Sequence, residues 1–223
     1  MDYQKPCQYS IRLIDRLKSL DTKNVLDFDL INKAIYWAKK YHGKQKRKSG
    51  DPYYTHPLEV AYIVSDYKLK TDVIVASILH DIIEDTEVTA GMILDNFGWR
   101  IAEMVDMLTR DRPDGNKLSV EEILNNAYQK QDEEVLLIKL FDRLHNLTTL
   151  DALSLKKKQQ IAFETLSSFI LLALSLDFNI EQLMTKLCFN CLQLNYSQPS
   201  FSFANSRLKP LELESLKDIM PYI

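Results

Sequence analysis

The stretch Val73-Ile74-Val75-Ala76-Ser77-Ile78-Leu79-His80-Asp81-Ile82-Ile83-Glu84-Asp85-Thr86 decides how this chain is read. From Val73 to Ile83 it is apolar on nearly every side, which predicts a helix from about Asp72 to Glu84 buried inside a larger bundle. Its charged end then needs a reason. A buried His-Asp pair followed one turn later by Glu-Asp is costly unless a metal ion, a partner charge or a water-filled cleft compensates it. The pair is therefore the seed of a metal site, provided other segments bring further ligands.

The segments around it repeat the helical period. Only five glycines and seven prolines occur in 223 residues, and alternation of period two is scarce. An all-α fold follows. Ile11, Ile14, Leu17 and Leu20 predict a first amphipathic helix, and Leu30, Ala34, Trp37 and Tyr41 a second, with Asp29 as its cap. Residues 43 to 57 are dense in Gly, Pro, Ser and Asp and read as a loop, after which Pro57 suits the first turn of a helix over Leu58 to Tyr67. Beyond the buried helix, a short helix over Ala90 to Phe97 ends at Gly98, and another continues through Ile101, Val105 and Leu108. Asp111 to Asn116 is a loop. Ser119 with Glu122 is a capping-box pattern for a helix to about Lys130. Val135 to Leu150 is a second strongly apolar helix, with Asp142, Arg143, His145 and Asn146 in its midst. Helices over Lys156 to Leu176 and Ile180 to Leu194 follow, then a polar, aromatic tail in which Leu211, Leu213, Leu216 and Ile219 dock as a last helix or bind a partner.

Composition narrows the class. A formal net charge of -3 argues against a protein held to nucleic acid by bulk charge. Three cysteines, Cys188 and Cys191 forming a lone C-x-x-C, make a disulfide framework improbable and point to a reducing compartment. The first residues carry no basic segment followed by an apolar one, and the longest apolar-rich stretch, Phe169 to Leu176, is too short to span a bilayer. A soluble cytoplasmic protein without a membrane partner is expected.

Three apolar segments each present candidate ligands: His56, the His80-Asp81 pair, and Asp142. Two imidazoles and two carboxylates suit manganese, iron or zinc and leave positions open for water and substrate. Neighbouring helical residues point about 100° apart, so His80 and Asp81 share an ion only near a helix end. The turn after Ile83 is the expected place. Glu84 and Asp85, four residues on, can hold or deprotonate a water. Each residue also has a plainer explanation: His56 as a loop hydrogen bond, Asp142 with Arg143 as a buried ion pair, Glu84 and Asp85 as a helix end. The run Lys44-Gln45-Lys46-Arg47-Lys48 before His56 is either a solvated face or an anion-binding loop, in which Arg47 pairs with phosphate or stacks on a base. Tyr53 and Tyr54 either stack on a ligand or pack the loop.

His42-Gly43-Lys44-Gln45-Lys46-Arg47-Lys48-Ser49-Gly50-Asp51-Pro52-Tyr53-Tyr54-Thr55-His56-Pro57, then Leu79 to Thr86, then Lys139-Leu140-Phe141-Asp142-Arg143-Leu144-His145-Asn146 together resemble the hydrolase domain of the RelA/SpoT family, within the HD superfamily of metal-dependent phosphohydrolases. The match covers roughly residues 28 to 170 in the family's order. It implies an HD-type helical bundle over residues 1–176, with 177–223 as a helical extension, that uses Mn2+ to remove the 3′-pyrophosphate of guanosine tetra- and pentaphosphate. It further implies His56, His80, Asp81 and Asp142 as metal ligands and Glu84 and Asp85 as the water-activating pair. Arg47 would stack on the purine, Lys48 contact phosphate, Tyr53 line the pocket, and Asn146 lie near the ribose or phosphates.

Two positions depart from the family's usual pattern: Phe141, where Ala is usual, and Thr148, where Arg is common. Related substrates, such as adenosine alarmones or NADPH, and an alarmone-binding protein without turnover are the alternatives. Only about fifty residues follow the resemblance, and the expectation is a stand-alone small hydrolase, as a monomer or homo-oligomer, or a remnant of a longer enzyme.

Overall fold

The structure, a computed structural model, describes residues 3–112 and 115–192. Among them there is no β-strand. The chain divides into two compact units, Met1–Asp142 and Arg143–Ile223. Among the described residues no helix is long and apolar enough to cross a membrane.

The first unit comprises α1 (Gln8–Leu20), α2 (Phe28–His42), α3 (Thr55–Ser65), α4 (Thr71–Leu79), α5 (Ile82–Asp85), α6 (Ala90–Phe97), α7 (Trp99–Leu108), α8 (Val120–Gln129) and most of α9 (Glu133–Thr148). α4 packs on α2, α3 and α7 at once. That is why it is apolar all round: every residue from Val73 to Leu79 is buried. Each Ile or Leu removed from water there contributes about 1.5–3 kcal/mol.

The buried helix does not run to Glu84 as the apolar pattern predicts. It ends at Leu79, and a separate turn, α5, begins at Ile82. The imidazole of His80 contributes to the break, because its Nδ1 lies 2.8 Å from the Ser77 carbonyl and donates to it. Two other expectations shift slightly. Asp27, not Asp29, caps α2 by accepting from the Leu30 N–H. On α1 the buried positions are Ser10, Leu13 and Leu17, while Ile11 is half exposed, so the inward face is rotated from the one predicted. The capping box of Ser119 and Glu122 is present as the sequence indicates. Gly98, at φ +87°, both ends α6 and precedes α7, a backbone angle that favours glycine.

The second unit holds the end of α9, then α10 (Leu155–Glu164), α11 (Ile170–Ser175) and α12 (Glu181–Cys191), with a π-helical turn at Thr165–Phe169 joining α10 to α11. α12 packs on both α10 and α11. Arg143 pairs with Glu164 at 3.0 Å and lies over the Phe169 ring, so its partner is Glu164. The segment with Leu211, Leu213, Leu216 and Ile219 lies outside the described residues.

Candidate metal centre

Three elements of the first unit deliver the predicted ligands to one place. His56 stands in the first turn of α3, where the missing N–H of Pro57 leaves no helical bond unmade. His80 and Asp81 occupy the break between α4 and α5, and Asp142 comes from α9. Nε2 of His56 lies 3.1 Å from Oδ1 of Asp142 and 3.5 Å from Oδ2 of Asp81. Nε2 of His80 lies 3.2 Å from Oδ1 of Asp81 and 3.6 Å from Oδ1 of Asp142. The break in the helix lets adjacent residues do this, since a continuous helix would turn them about 100° apart.

These separations suit a divalent ion. Donors about 2.1 Å from an ion stand about 3.0–3.4 Å from one another in octahedral or tetrahedral geometry. His56, His80 and Asp142 form a compact buried set, and Asp81 approaches the same two imidazoles. The Ser77 carbonyl fixes the proton of His80 on Nδ1, which leaves Nε2 facing the carboxylates. That Nε2 is buried and makes no hydrogen bond of acceptable geometry. A buried nitrogen without a partner costs about 1–3 kcal/mol, so the site is built for a proton or a cation.

The electrostatics agree. Burial alone would lower His80, but Asp81 and Asp142 push it well above the usual histidine range. Burial does lower His56, against the hydrogen bond it makes to Asp142. Burial would raise Asp142 and Asp81; Lys139 with both imidazoles holds Asp142 far below the carboxylate range, and His80 first, then His56, does the same for Asp81. The carboxylates that favour a proton on His80 would equally favour a cation beside it.

Glu84 and Asp85 lie on α5, just beyond His80 and Asp81, and burial raises both carboxyls. The backbone N–H of Arg110 donates to Oε1 of Glu84, and Lys117 Nζ stands 3.9 Å from Oε2, so the loop after α7 forms one side of this corner. Tyr53 forms another. Its hydroxyl donates to Oδ2 of Asp81 at 3.1 Å and also interacts with Asp85, while its ring stacks on His42 at 4.7 Å. Tyr54 is turned towards Cys7 instead.

The basic loop is drawn to the same corner. It closes on itself through Arg47 N–H to Asp51 and Tyr53 N–H to the Gln45 carbonyl, and Gln45 Nε2 donates to the Asp85 carbonyl at 2.6 Å. Arg47 is half-buried and Lys48 exposed. Asn146 follows Asp142 by one turn of α9. Phe141 is fully buried with its ring 4.5 Å from that of Tyr67, so its bulk is taken up by the core. Thr148 donates to the His145 carbonyl. Sequence reasoning gave no role to Lys139, whose Nζ is 3.3 Å from Oδ2 of Asp142, nor to Ser77. The signal for Lys139 was its spacing, one turn before a ligand on an otherwise apolar segment.

A family model described as HD domain matches residues 34–178. This chain belongs to the HD-domain family. Within the HD-domain proteins it is similar to RelA/SpoT enzymes, as the three motifs imply. A protein of Myxococcus xanthus named GTP pyrophosphokinase is 40% identical over 186 residues, which cover 80% of this chain and 24% of that protein. A Mycoplasma pneumoniae protein named probable guanosine-3′,5′-bis(diphosphate) 3′-pyrophosphohydrolase is 36% identical over 155 residues, 65% of this chain and 21% of that protein. The chain spans about a quarter or less of the length of these relatives. A solved structure described as a metazoan ortholog of SpoT that hydrolyzes ppGpp matches with a TM-score of 0.51 at 20% identity, covering 86% of this chain and 99% of its own. At that identity the likeness bears on the fold, and the all-α HD bundle is the fold observed.

Proposed function

We propose that the chain hydrolyses the 3′-pyrophosphate of guanosine tetra- and pentaphosphate, giving GDP or GTP and pyrophosphate, with manganese held by His56, His80, Asp81 and Asp142. Residues 1–176 carry the activity, and 177–223 are an extension to it. The observation that supports this best is the meeting of those four donors beside Glu84 and Asp85. The names of the two relatives supply the substrate class.

A divalent ion at this place supplies Lewis acidity, polarising phosphoryl oxygen and making water easier to deprotonate. The protein's own groups do the rest. Glu84 and Asp85 receive the proton of the attacking water; burial raises both carboxyls, which makes each carboxylate a stronger base. The water oxygen bonds to the phosphorus next to ribose O3′, the P–O3′ bond breaks, and the proton returns from the carboxylate to O3′. Tyr53 holds Asp81 and Asp85 in register. Arg47 stacks on the purine and Lys48 meets phosphate from the loop that Gln45 ties to Asp85, offsetting charge on the transferring group. Asn146 takes the ribose or phosphate side.

A nucleotide panel tests the proposal. Initial rates of hydrolysis of guanosine tetraphosphate, an adenosine alarmone and NADPH should give the highest kcat/KM for guanosine tetraphosphate, and Glu84→Gln should lower it at least 100-fold. A higher kcat/KM for NADPH would reassign the substrate. Calorimetric binding of the alarmone with no turnover in manganese would exclude hydrolysis.

A further inference from the structure

Lys139 sits inside the cluster without a part in ligation or proton transfer. It is only 8% exposed and stands one turn before Asp142 on α9. Lysine is almost never this buried unless it is paired. Its partner is one oxygen of a proposed metal ligand: Nζ lies 3.3 Å from Oδ2 of Asp142. The other oxygen, Oδ1, faces His56 at 3.1 Å and His80 at 3.6 Å. The two oxygens of Asp142 are thus divided between an ammonium and the imidazoles.

We propose that Lys139 is a positioning residue: its ammonium holds Oδ2 of Asp142 so that Oδ1 alone is offered to the ion. An aspartate without such a partner turns about its last torsion and presents either oxygen, or both. Groups that hold a ligand from behind in this way are commonly worth 10–100-fold in metal affinity. Charge alone makes the opposite prediction, because deleting a cation beside a cation site should strengthen binding. The sign of the change therefore separates orientation from electrostatics. Lys139 also contributes positive charge at Glu84, where it works against the effect of burial. The ammonium thus acts on both Asp142 and Glu84.

The inference rests on the metal centre described above, and the test separates the two. The full chain, Lys139→Met and Lys139→Arg are each titrated with Mn2+ by calorimetry, with circular dichroism and a thermal scan in chelator establishing the fold. Lys139→Met should bind the ion about 10–100-fold more weakly, and Lys139→Arg should restore binding to within a few-fold of wild type. Equal or tighter binding by Lys139→Met overturns the inference alone, as does a loss that arginine does not relieve. If Lys139→Met does not fold, Lys139→Gln carries the same comparison with the same two outcomes. A wild-type chain that takes up no ion overturns both the metal centre and the role of Lys139.

Discussion

At His80 the two ring nitrogens are held in different states, and the site depends on the difference. Nδ1 donates to Ser77, and Nε2 faces two carboxylates that raise its affinity for a proton. Because the folded value lies above the ordinary one, a proton and an entering ion compete for that nitrogen. Manganese binding should therefore release protons at pH 7 and weaken as pH falls; calorimetry in buffers of different ionisation enthalpy measures this, and uptake without release would contradict it. Tyr53→Phe keeps the ring on His42 but removes the hydroxyl from Asp81. It should lower kcat about 10-fold with KM little changed, since a positioning hydrogen bond serves the transition state more than ground-state binding. Residue identity made His56, His80, Asp81 and Asp142 stand out in the sequence as candidates, because imidazoles and carboxylates on apolar helices demand compensation, and the fold brings them together. Lys139 and Ser77 were not legible in the same way. Their roles depend on which oxygen faces which nitrogen, between residues as far apart as His56 and Asp142, and spacing along the chain carries no such information.

At the scale of elements, helix type and order follow from the apolar period, while ends depend on single contacts. The run Val73 to Ile83 holds only Ser77 as a polar residue before His80, and serine is compatible with a helix interior, so nothing in its pattern marks the break after Leu79. Asp27 and Asp29 are chemically equal caps, and only the bond to Leu30 N–H distinguishes them. α4, surrounded on several sides, should be the element least tolerant of truncation. Leu79→Ala, at a fully buried position, is expected to cost about 2–5 kcal/mol by denaturant unfolding. Arg100 is a second test. Burial alone would raise Asp132 and Glu134, but its paired hydrogen bonds hold both below the usual carboxylate range. The stability they supply is present above about pH 4, the unfolded value, and is lost as pH falls through the lower folded ones. Arg100→Met should therefore destabilise at pH 7 and make little difference near pH 2; an equal loss at both would contradict this account.

For the whole molecule, net charge and local charge carry separate messages. The chain is mildly acidic overall, yet Lys44, Lys46, Arg47 and Lys48 share a loop tied to Asp85. Attraction of a polyanionic nucleotide should therefore depend on that loop and weaken with salt. The family match crosses both compact units, and all four proposed ligands belong to the first. The most direct measurement is a titration of Mn2+ into the full chain, following bound ion and pyrophosphate released from guanosine tetraphosphate in the same samples. One ion per chain, release rising in step with it, and loss of both in Asp81→Ala is the predicted result. Release in chelator, ion uptake without release, or an Asp81→Ala variant equal to wild type would contradict it.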